Sequence, residues 1–323
     1  MTYFCRKNNH FQSERAMTYT TLSQFFSRHF AMKVQKLSIN AGFTCPNRDG
    51  TVGRGGCTYC NNQTFNPDYC SPHESVAEQL ERGKAFFAHK YPAMRYLAYF
   101  QAYTSTYAPT SHLIALYEEA LGVKDMVGIV IGTRPDCMPP ELLEWLAAKA
   151  KTTFVMVEYG VESCYNRTLQ RINRGHDFAC AERTIQLTKA AGIHVGTHFI
   201  LGLPGESHAD IMASVPLINR LAPDTLKLHQ LQIVRGTRMA EEYAEKPHDF
   251  GLYSTADDYC QLVCDVLERL APGIAVERFT SSSPKSLLIA PDWGMKNHEF
   301  TALVQREMLR RGSKQGCKIE AGR

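Results

Sequence analysis

A chain of 323 residues, 44% hydrophobic and 21% charged with no low-complexity run, has the composition of an ordinary globular protein and the length of an α/β barrel with an appendage. No apolar run reaches the roughly 18 to 20 residues of a membrane-spanning helix, and Met1–Met17, with Arg6, Lys7, Arg15 and no apolar core, is not a secretory signal. The formal net charge of +4 is modest, and eleven cysteines, an odd number diluted over the chain, indicate a reducing compartment, hence the cytoplasm, rather than a disulfide framework.

Residues 1–32 are expected to form an N-terminal extension and helix, with Met17 an alternative start that makes the first sixteen residues dispensable. The first strand is predicted at Val34–Asn40. Directly after it comes Cys-Pro-Asn-Arg-Asp-Gly-Thr-Val-Gly-Arg-Gly-Gly-Cys-Thr-Tyr-Cys, in which eleven residues separate Cys45 from Cys57 and two separate Cys57 from Cys60. Gly50, Gly53, Gly55 and Gly56 let this loop fold back so that three sulfurs face one point.

Three thiolates on a [4Fe-4S] cluster leave one iron open to a small molecule, whereas four saturate it for electron transfer alone. The open iron suits the amino and carboxylate groups of S-adenosylmethionine (SAM), and an electron from the cluster then splits the sulfonium C–S bond. Two other readings of these cysteines stand beside this one: a four-cysteine zinc site completed by Cys70, and a redox-active Cys57/Cys60 pair with Cys45 merely buried.

Beyond the loop, β-like and helix-like runs alternate, as in βα repetition. Ser71, Pro72 and Glu74 predict a helix start, with the helix running to about Tyr91. A second strand is expected at Arg95–Ala102, and the run Tyr99–Pro109 follows from within it. Its aromatics, Tyr103 included, read as core or as a substrate platform, while Gln101, Thr104, Ser105 and Thr106 fall where a methionine moiety needs donors. The third strand is predicted at Val127–Thr133 and a helix opens at Pro139, Pro140 and Glu141.

The fourth strand, Thr153–Gly160, leads into Glu158–Ser163, followed by Arg171, Asn173, Arg174, Gly175 and His176. Glu158 and Glu162 can accept from ribose hydroxyls or an amino group, and Arg174 can grip a carboxylate with two N–H groups; a salt-bridged surface loop is the plainer reading. After a helix from Asp177 to Gly192, the fifth strand, His194–Gly202, ends in His198–Glu206. Gly202 and Gly205 there let backbone approach a flat ligand.

A helix starts at Ser207, and the sixth strand, Thr225–Val234, places Lys227 and His229 on one face by period-two alternation. Those residues suit a ligand, although Glu158 can equally neutralise Lys227. Helices near Thr255–Leu270 and Asn297–Arg311 flank a short strand around Ala275–Thr280. From Arg306 onward Arg306, Arg310, Arg311, Lys314, Lys318 and Arg323 face only Glu307 and Glu320, a basic tail suited to phosphate or simply to solvent.

These elements predict an α/β fold: a partial (β/α)6 barrel over residues 33–240, with right-handed crossovers and chemistry at the C-terminal ends of its strands. Residues 241–323 form a C-terminal α/β extension that covers the opening or receives substrate.

Taken together, the cysteine loop with Pro46–Gly50, Tyr99–Pro109, Thr133–Asp136, Glu158–Ser163, Asn173–His176, Gly202–Glu206 and Arg235–Thr237 resemble the YhcC/YtqA group of radical SAM proteins, from about Phe25 to Arg311. More distantly they resemble the radical domain of the Elongator catalytic subunit, which acts on the wobble uridine of tRNA. No segment here resembles an acetyltransferase domain, so acetyl-coenzyme A chemistry is not expected. The long first cysteine interval departs from the three-residue interval common in the wider superfamily.

The resemblance implies that Cys45, Cys57 and Cys60 ligate a [4Fe-4S] cluster with Tyr59 packed beside it. It further implies that Glu158, Glu162, Arg174 and His198 line the SAM site, to which Gln101 and Gly202 are added, and that Tyr103, Lys227 and His229 are candidates for the substrate side. The expected partners are tRNA and an electron donor such as flavodoxin or ferredoxin. A radical catalyst on a small metabolite or protein side chain, or a non-catalytic zinc or iron-sulfur RNA-binding module, are the rival functions.

Overall fold

The computed structural model describes residues 17–62, 67, 69–88 and 94–319. The first sixteen residues, the predicted helix end at Tyr91, and Glu320 and Arg323 of the tail lie outside these. Helix α1 (Leu22–Ser27) precedes β1 (Val34–Ile39), and the cysteine loop then makes one turn, α2 (Pro46–Asp49). Next come α3 (Val76–Ala88), β2 (Arg95–Phe100), α4 (Thr110–Gly122) and β3 (Met126–Thr133), then α5 (Pro140–Ala150) and β4 (Phe154–Glu162). The short α6 (Asn166–Arg171), α7 (Phe178–Ala190), β5 (His194–Leu201), α8 (His208–Leu221) and β6 (Thr225–Gln230) complete six βα units.

Local chemistry accounts for the helix starts. The Asp177 carboxylate accepts from the Cys180 amide at 2.7 Å, and Ser207 and Asp210 form a reciprocal capping box. The cap of α3 is Ser75 with Glu78, not the predicted Ser71, because the Glu78 amide donates to Ser75 Oγ at 3.2 Å while Glu78 accepts from the Ser75 amide at 2.9 Å. Helix α4 begins after Pro109 with no side-chain cap, so the sequence carries no polar start signal for it.

All neighbours in the main sheet are parallel, in the order β1-β2-β3-β4-β5-β6 and then a seventh strand, β8 (Ala275–Arg278). The expected partial barrel is the observed fold. The strand predicted near Ala275 extends the sheet at β6 instead of lying over its mouth. The predicted sixth strand breaks after Gln230. Its end, β7 (Ile233–Val234), turns away to pair antiparallel with β9 (Leu288–Ala290). Helices α9 (Arg238–Glu245), α10 (Ala256–Arg269) and α11 (Asn297–Arg310) pack around this end.

Alternation along the strands separates two apolar regions. Leu37, Ile39, Ala98, Phe100, Ile129, Ile131, Val155 and Val157 face the helices and meet Leu113, Tyr117, Leu142 and Leu146 in the larger core. Leu97, Tyr99, Val130, Met156 and Ala275 face inward, where Phe25 and Phe26 of α1 pack against them. Burying such an aromatic side chain contributes about 2 kcal/mol. Helix α1 is therefore a plug for the barrel interior.

The N-terminal segment is tied to the C-terminal one. The Val276 amide donates to the Thr20 carbonyl at 2.8 Å, and Gln315 Oε1 accepts from the Thr20 amide at 2.8 Å. Much of the basic tail is neutralised internally: Arg310 pairs with Glu307 at 2.7 Å, Arg311 with Asp265 at 2.7 Å, and Lys318 with Glu268 at 2.5 Å. Arg306 and Lys314 are exposed and form no ion pair among the described residues. No helix of the described residues is long and apolar enough to cross a membrane.

Candidate active site

The cysteine loop is built on close backbone fits. Cys45 stands in extended conformation as the N-cap of α2, and its carbonyl accepts from the Arg48 amide at 2.8 Å. At Gly53 an added Cβ would lie 2.2 Å from Asn47 Oδ1, and Gly56 adopts φ +80° against the Arg48 side chain, so both positions require glycine. The Cys60 amide donates to the Cys57 carbonyl at 3.0 Å, closing the turn between the paired cysteines.

A second loop latches this one in place. Asn173, at φ +53°, donates through Nδ2 to the Gly56 carbonyl at 2.8 Å, and the Thr58 amide donates to the Ile172 carbonyl at 3.0 Å. Arg174 is buried behind the cysteines, with Nη1 3.5 Å from Cys57 Sγ and Nη2 both on the Gly160 carbonyl and 3.6 Å from Glu162. Its two Nη groups are thus taken by the protein and offer no free bidentate grip. Tyr59 packs on the main core and donates its hydroxyl to Glu162, whose carboxyl burial lifts above the usual range despite Arg174.

Cys45, Cys57 and Cys60 line a cavity of about 300 Å³ at the C-terminal ends of the strands, together with Tyr59, Gln101, Tyr103, Glu158, Glu162, Arg174, His198 and His229. Eleven of the thirteen predicted site residues line this cavity, Lys227 lies in the layer beneath, and Gly202 is elsewhere; the cavity wall holds Gln101, donating to Ser38 Oγ at 2.8 Å, and Tyr103, whose exposed ring carries the Arg48 guanidinium 5.7 Å from its centroid.

Gly202 corrects an expectation. It has φ +87°, but its added Cβ would meet the Tyr253 ring at 3.4 Å, and Gly202 is not on the cavity wall. The flat group it accommodates belongs to the protein. Cys70 corrects the zinc reading: its thiol donates to the Ser38 carbonyl at 3.0 Å, burial pushes its pKa up to about 12, and it does not line the cavity.

Beneath the cavity lies an ionic layer that sequence reasoning found only in part. Glu158, its side chain fully buried, accepts from Lys36 Nζ and Lys227 Nζ at 2.6 Å each, from Tyr99 at 2.7 Å and from His198 at 3.1 Å. Glu277 of β8 completes the layer at 2.6 Å from Lys36 and 3.1 Å from Lys227. Both Glu158 oxygens are occupied, so the carboxylate closes the barrel interior instead of waiting for a ribose. Lys227 is neutralised by Glu158, the plainer of its two readings.

Burial would lift the Glu158 carboxyl, yet Lys227 and Lys36 hold it well below the usual carboxylate range. Burial, and then Lys227, lower His198 to about 4. The His198–Glu158 contact is therefore a neutral imidazole N–H donating to a carboxylate, not an ion pair. Lys36 went unread as a lone charge in a short strand, and Glu277 because it stands beside Arg278 in one; a lysine between the apolar residues of β1 was the available signal.

Four buried donor atoms on the cavity wall have no partner among the described residues: Thr104 Oγ1, Arg134 Nη1, Arg174 Nε and Arg278 Nε. Buried polar atoms are ordinarily satisfied, so this set suits a polar, anionic ligand. Three thiols backed by arginines suit an iron-sulfur cluster in the same way. Among the described residues no three His, Cys, Asp or Glu side chains stand at metal-binding distance.

Comparison with known proteins follows the same lines. The family model of the radical SAM superfamily matches residues 43–218, and that of the radical SAM C-terminal domain matches residues 223–310. Protein YhcC of Escherichia coli (strain K12) is 41% identical over 281 residues, 86% of this chain and 88% of that one. YtqA of Bacillus subtilis (strain 168) is 37% identical over 311 residues, 96% of each chain. Elongator complex protein 3 of Mus musculus is 32% identical over 166 residues, 50% of this chain and 29% of that one. In fold, the chain resembles the archaeal Methanocaldococcus infernus Elp3 with a TM-score of 0.66 at 18% identity, covering 87% of this chain and 64% of that one.

Proposed function

Since the chain belongs to the radical SAM superfamily, whose cofactors are a [4Fe-4S] cluster and SAM, we propose that Cys45, Cys57 and Cys60 hold that cluster and that the enzyme alters a side chain on the wobble uridine of tRNA. The observation that carries the cluster assignment is one cavity wall bearing all three thiols beside buried donors without partners. When bound, the cluster supplies one electron that splits SAM into methionine and a 5′-deoxyadenosyl radical.

The chain's own residues supply position and a dry setting. Asn173 and Arg48 hold the loop that carries the thiols, with Arg48 donating to the Cys60 carbonyl at 2.9 Å. Arg174 and Asn47 each present an N–H group to Cys57 Sγ, at 3.5 and 3.6 Å, which stabilises negative charge on that sulfur. Thr104 Oγ1 and Arg174 Nε are the donors left for SAM, with Gln101, Glu162 and His198 on the same wall. Tyr103 and His229 stand on the substrate side.

Kinship with the Elongator catalytic subunit supports the tRNA part. A small-metabolite substrate is the second reading, favoured by the internal pairing of Arg310, Arg311 and Lys318, which leaves little free cationic surface on the tail.

Anaerobic reconstitution tests the chemistry: about four irons per chain and 5′-deoxyadenosine on reduction are expected, both lost when Cys45, Cys57 and Cys60 are changed to alanine. Retention of SAM cleavage by that triple variant defeats the assignment. For the substrate, the tRNA nucleosides of cells lacking the gene are examined by mass spectrometry. A wobble-uridine profile that does not change removes tRNA and leaves the small-metabolite reading.

A further inference from the structure

Among the described residues, two cations on the cavity wall, Arg48 and Arg278, have no carboxylate partner. Lys36 and Lys227 face Glu158 and Glu277. Arg134 has Asp136 at 2.8 Å, and Arg174 has Glu162 at 3.6 Å. Arg48 lies against the Cys45 and Cys60 thiols. Arg278, at the end of β8, lines the cavity with no ion pair or hydrogen bond to any described residue, and its Nε is buried.

A guanidinium stays charged at any ordinary pH, and taking it partly out of water without a counter-charge is unfavourable. The nearby carboxylates, Glu158 and Glu277, are engaged by Lys36 and Lys227. Its ionisable neighbours His198 and His229 are neutral, lowered by burial first and, at His229, by Arg278 next. The chain beyond β8 is Ser281-Ser282-Ser283, all three on the cavity wall. Ser281 is held by its amide on Gln230 Oε1 at 2.6 Å and its hydroxyl on His229 Nδ1 at 2.7 Å, and Ser283 donates to Gln232 Oε1 at 2.8 Å. Ser282 is exposed and makes no such bond among the described residues.

We propose that Arg278, with the serine turn 281–283, is an oxyanion subsite that anchors a carboxylate or phosphate group of the substrate. The planar guanidinium and the unengaged Ser282 hydroxyl match either group. This rests on the reading of the cavity as the place where the radical meets its substrate. It adds an anchor on the strand farthest in the sheet order from β1, which leads into the cysteine loop.

The test uses the cluster-loaded protein in equilibrium dialysis with inorganic phosphate and with malonate, alongside SAM binding and 5′-deoxyadenosine formation. One equivalent of phosphate or malonate is expected to bind, and the tighter probe identifies the group the subsite takes. Arg278→Gln is expected to weaken that binding about tenfold or more, the loss of one charge-assisted contact, and at least several-fold more than it weakens SAM binding. Arg278→Lys, which keeps the charge, should recover part of the affinity and guards against misfolding of the first variant. Unchanged oxyanion binding in Arg278→Gln overturns the proposal, and so does a parallel fall in SAM affinity, which would put Arg278 on the carboxylate of SAM. Failure of the unaltered enzyme to form 5′-deoxyadenosine, with oxyanion binding intact, would instead overturn the functional reading alone.

Discussion

Burial and charge oppose each other at Glu158, whereas at His198 burial and Lys227 together outweigh Glu158, and the two residues therefore fail at different pH. His198 has a folded pKa of about 4 against an ordinary imidazole value of 6.5. Between those values the unfolded chain takes up a proton that the native state refuses. Its contribution is complete above about pH 6.5 and is lost as pH falls toward 4, on the order of 3 kcal/mol in all. Glu158, depressed below the carboxylate range by Lys227 and Lys36, contributes fully above its unfolded value of about 4.3 and loses that only at lower pH. Replacing His198 with glutamine should flatten the stability-pH curve between pH 7 and 5 by close to one proton, measured by urea unfolding. An unaltered slope would show that His198 is not held neutral in the native state.

Among the elements, α1 does the most with the fewest residues. Thr21 caps it, with the Gln24 amide donating to its hydroxyl at 3.2 Å, and six residues suffice to place Phe25 and Phe26. The two rings meet Phe154 at centroid distances of 6.4 and 5.9 Å, sealing the end of the barrel away from the cysteines. Phe26→Ala should cost about 3 kcal/mol, the usual cost of emptying a buried aromatic site, read as a lower urea midpoint at unchanged m-value. A loss below about 1 kcal/mol would mean that α1 rests on the barrel without closing it.

For the whole molecule the decisive feature is that one sheet runs through both family matches. Their boundary falls between α8 and β6, yet β6 pairs with β5 from Gly196 to Leu201 and with β8 from Thr225 to Lys227. Glu277 carries β8 into the ionic layer, and Thr18 and Thr20 join the chain's beginning to Gln305 and Gln315. Unfolding of the full chain in urea should be a single transition, coincident by far-UV circular dichroism and fluorescence. A chain ending at residue 240 should lose that cooperativity, because Lys36 and Lys227 lose Glu277 and β6 becomes a bare edge. Two separate transitions in the full chain would show that the C-terminal part folds by itself.

The strands were legible because parallel strands buried on both faces read as apolar runs, and helices α5, α7 and α8 because proline, aspartate and serine mark their starts. The cysteine loop was legible from spacing alone, since three thiols and four glycines within sixteen residues form a local pattern. The loop held by Asn173, the engagement of Glu158 and Lys227, and the uncompensated charge of Arg278 were not. The first two depend on partners far along the chain, as Lys36 is 122 residues from Glu158 and 241 from Glu277, and a charge that looks available for a ligand along the sequence is available only if no such partner arrives. The sequence by itself thus determined which elements form and which cysteines share one loop, because propensity, capping and spacing act between near neighbours. Only the tertiary structure decided which polar groups are spent on holding the barrel together and which remain for a ligand, because burial and ion pairing are set by residues far along the chain.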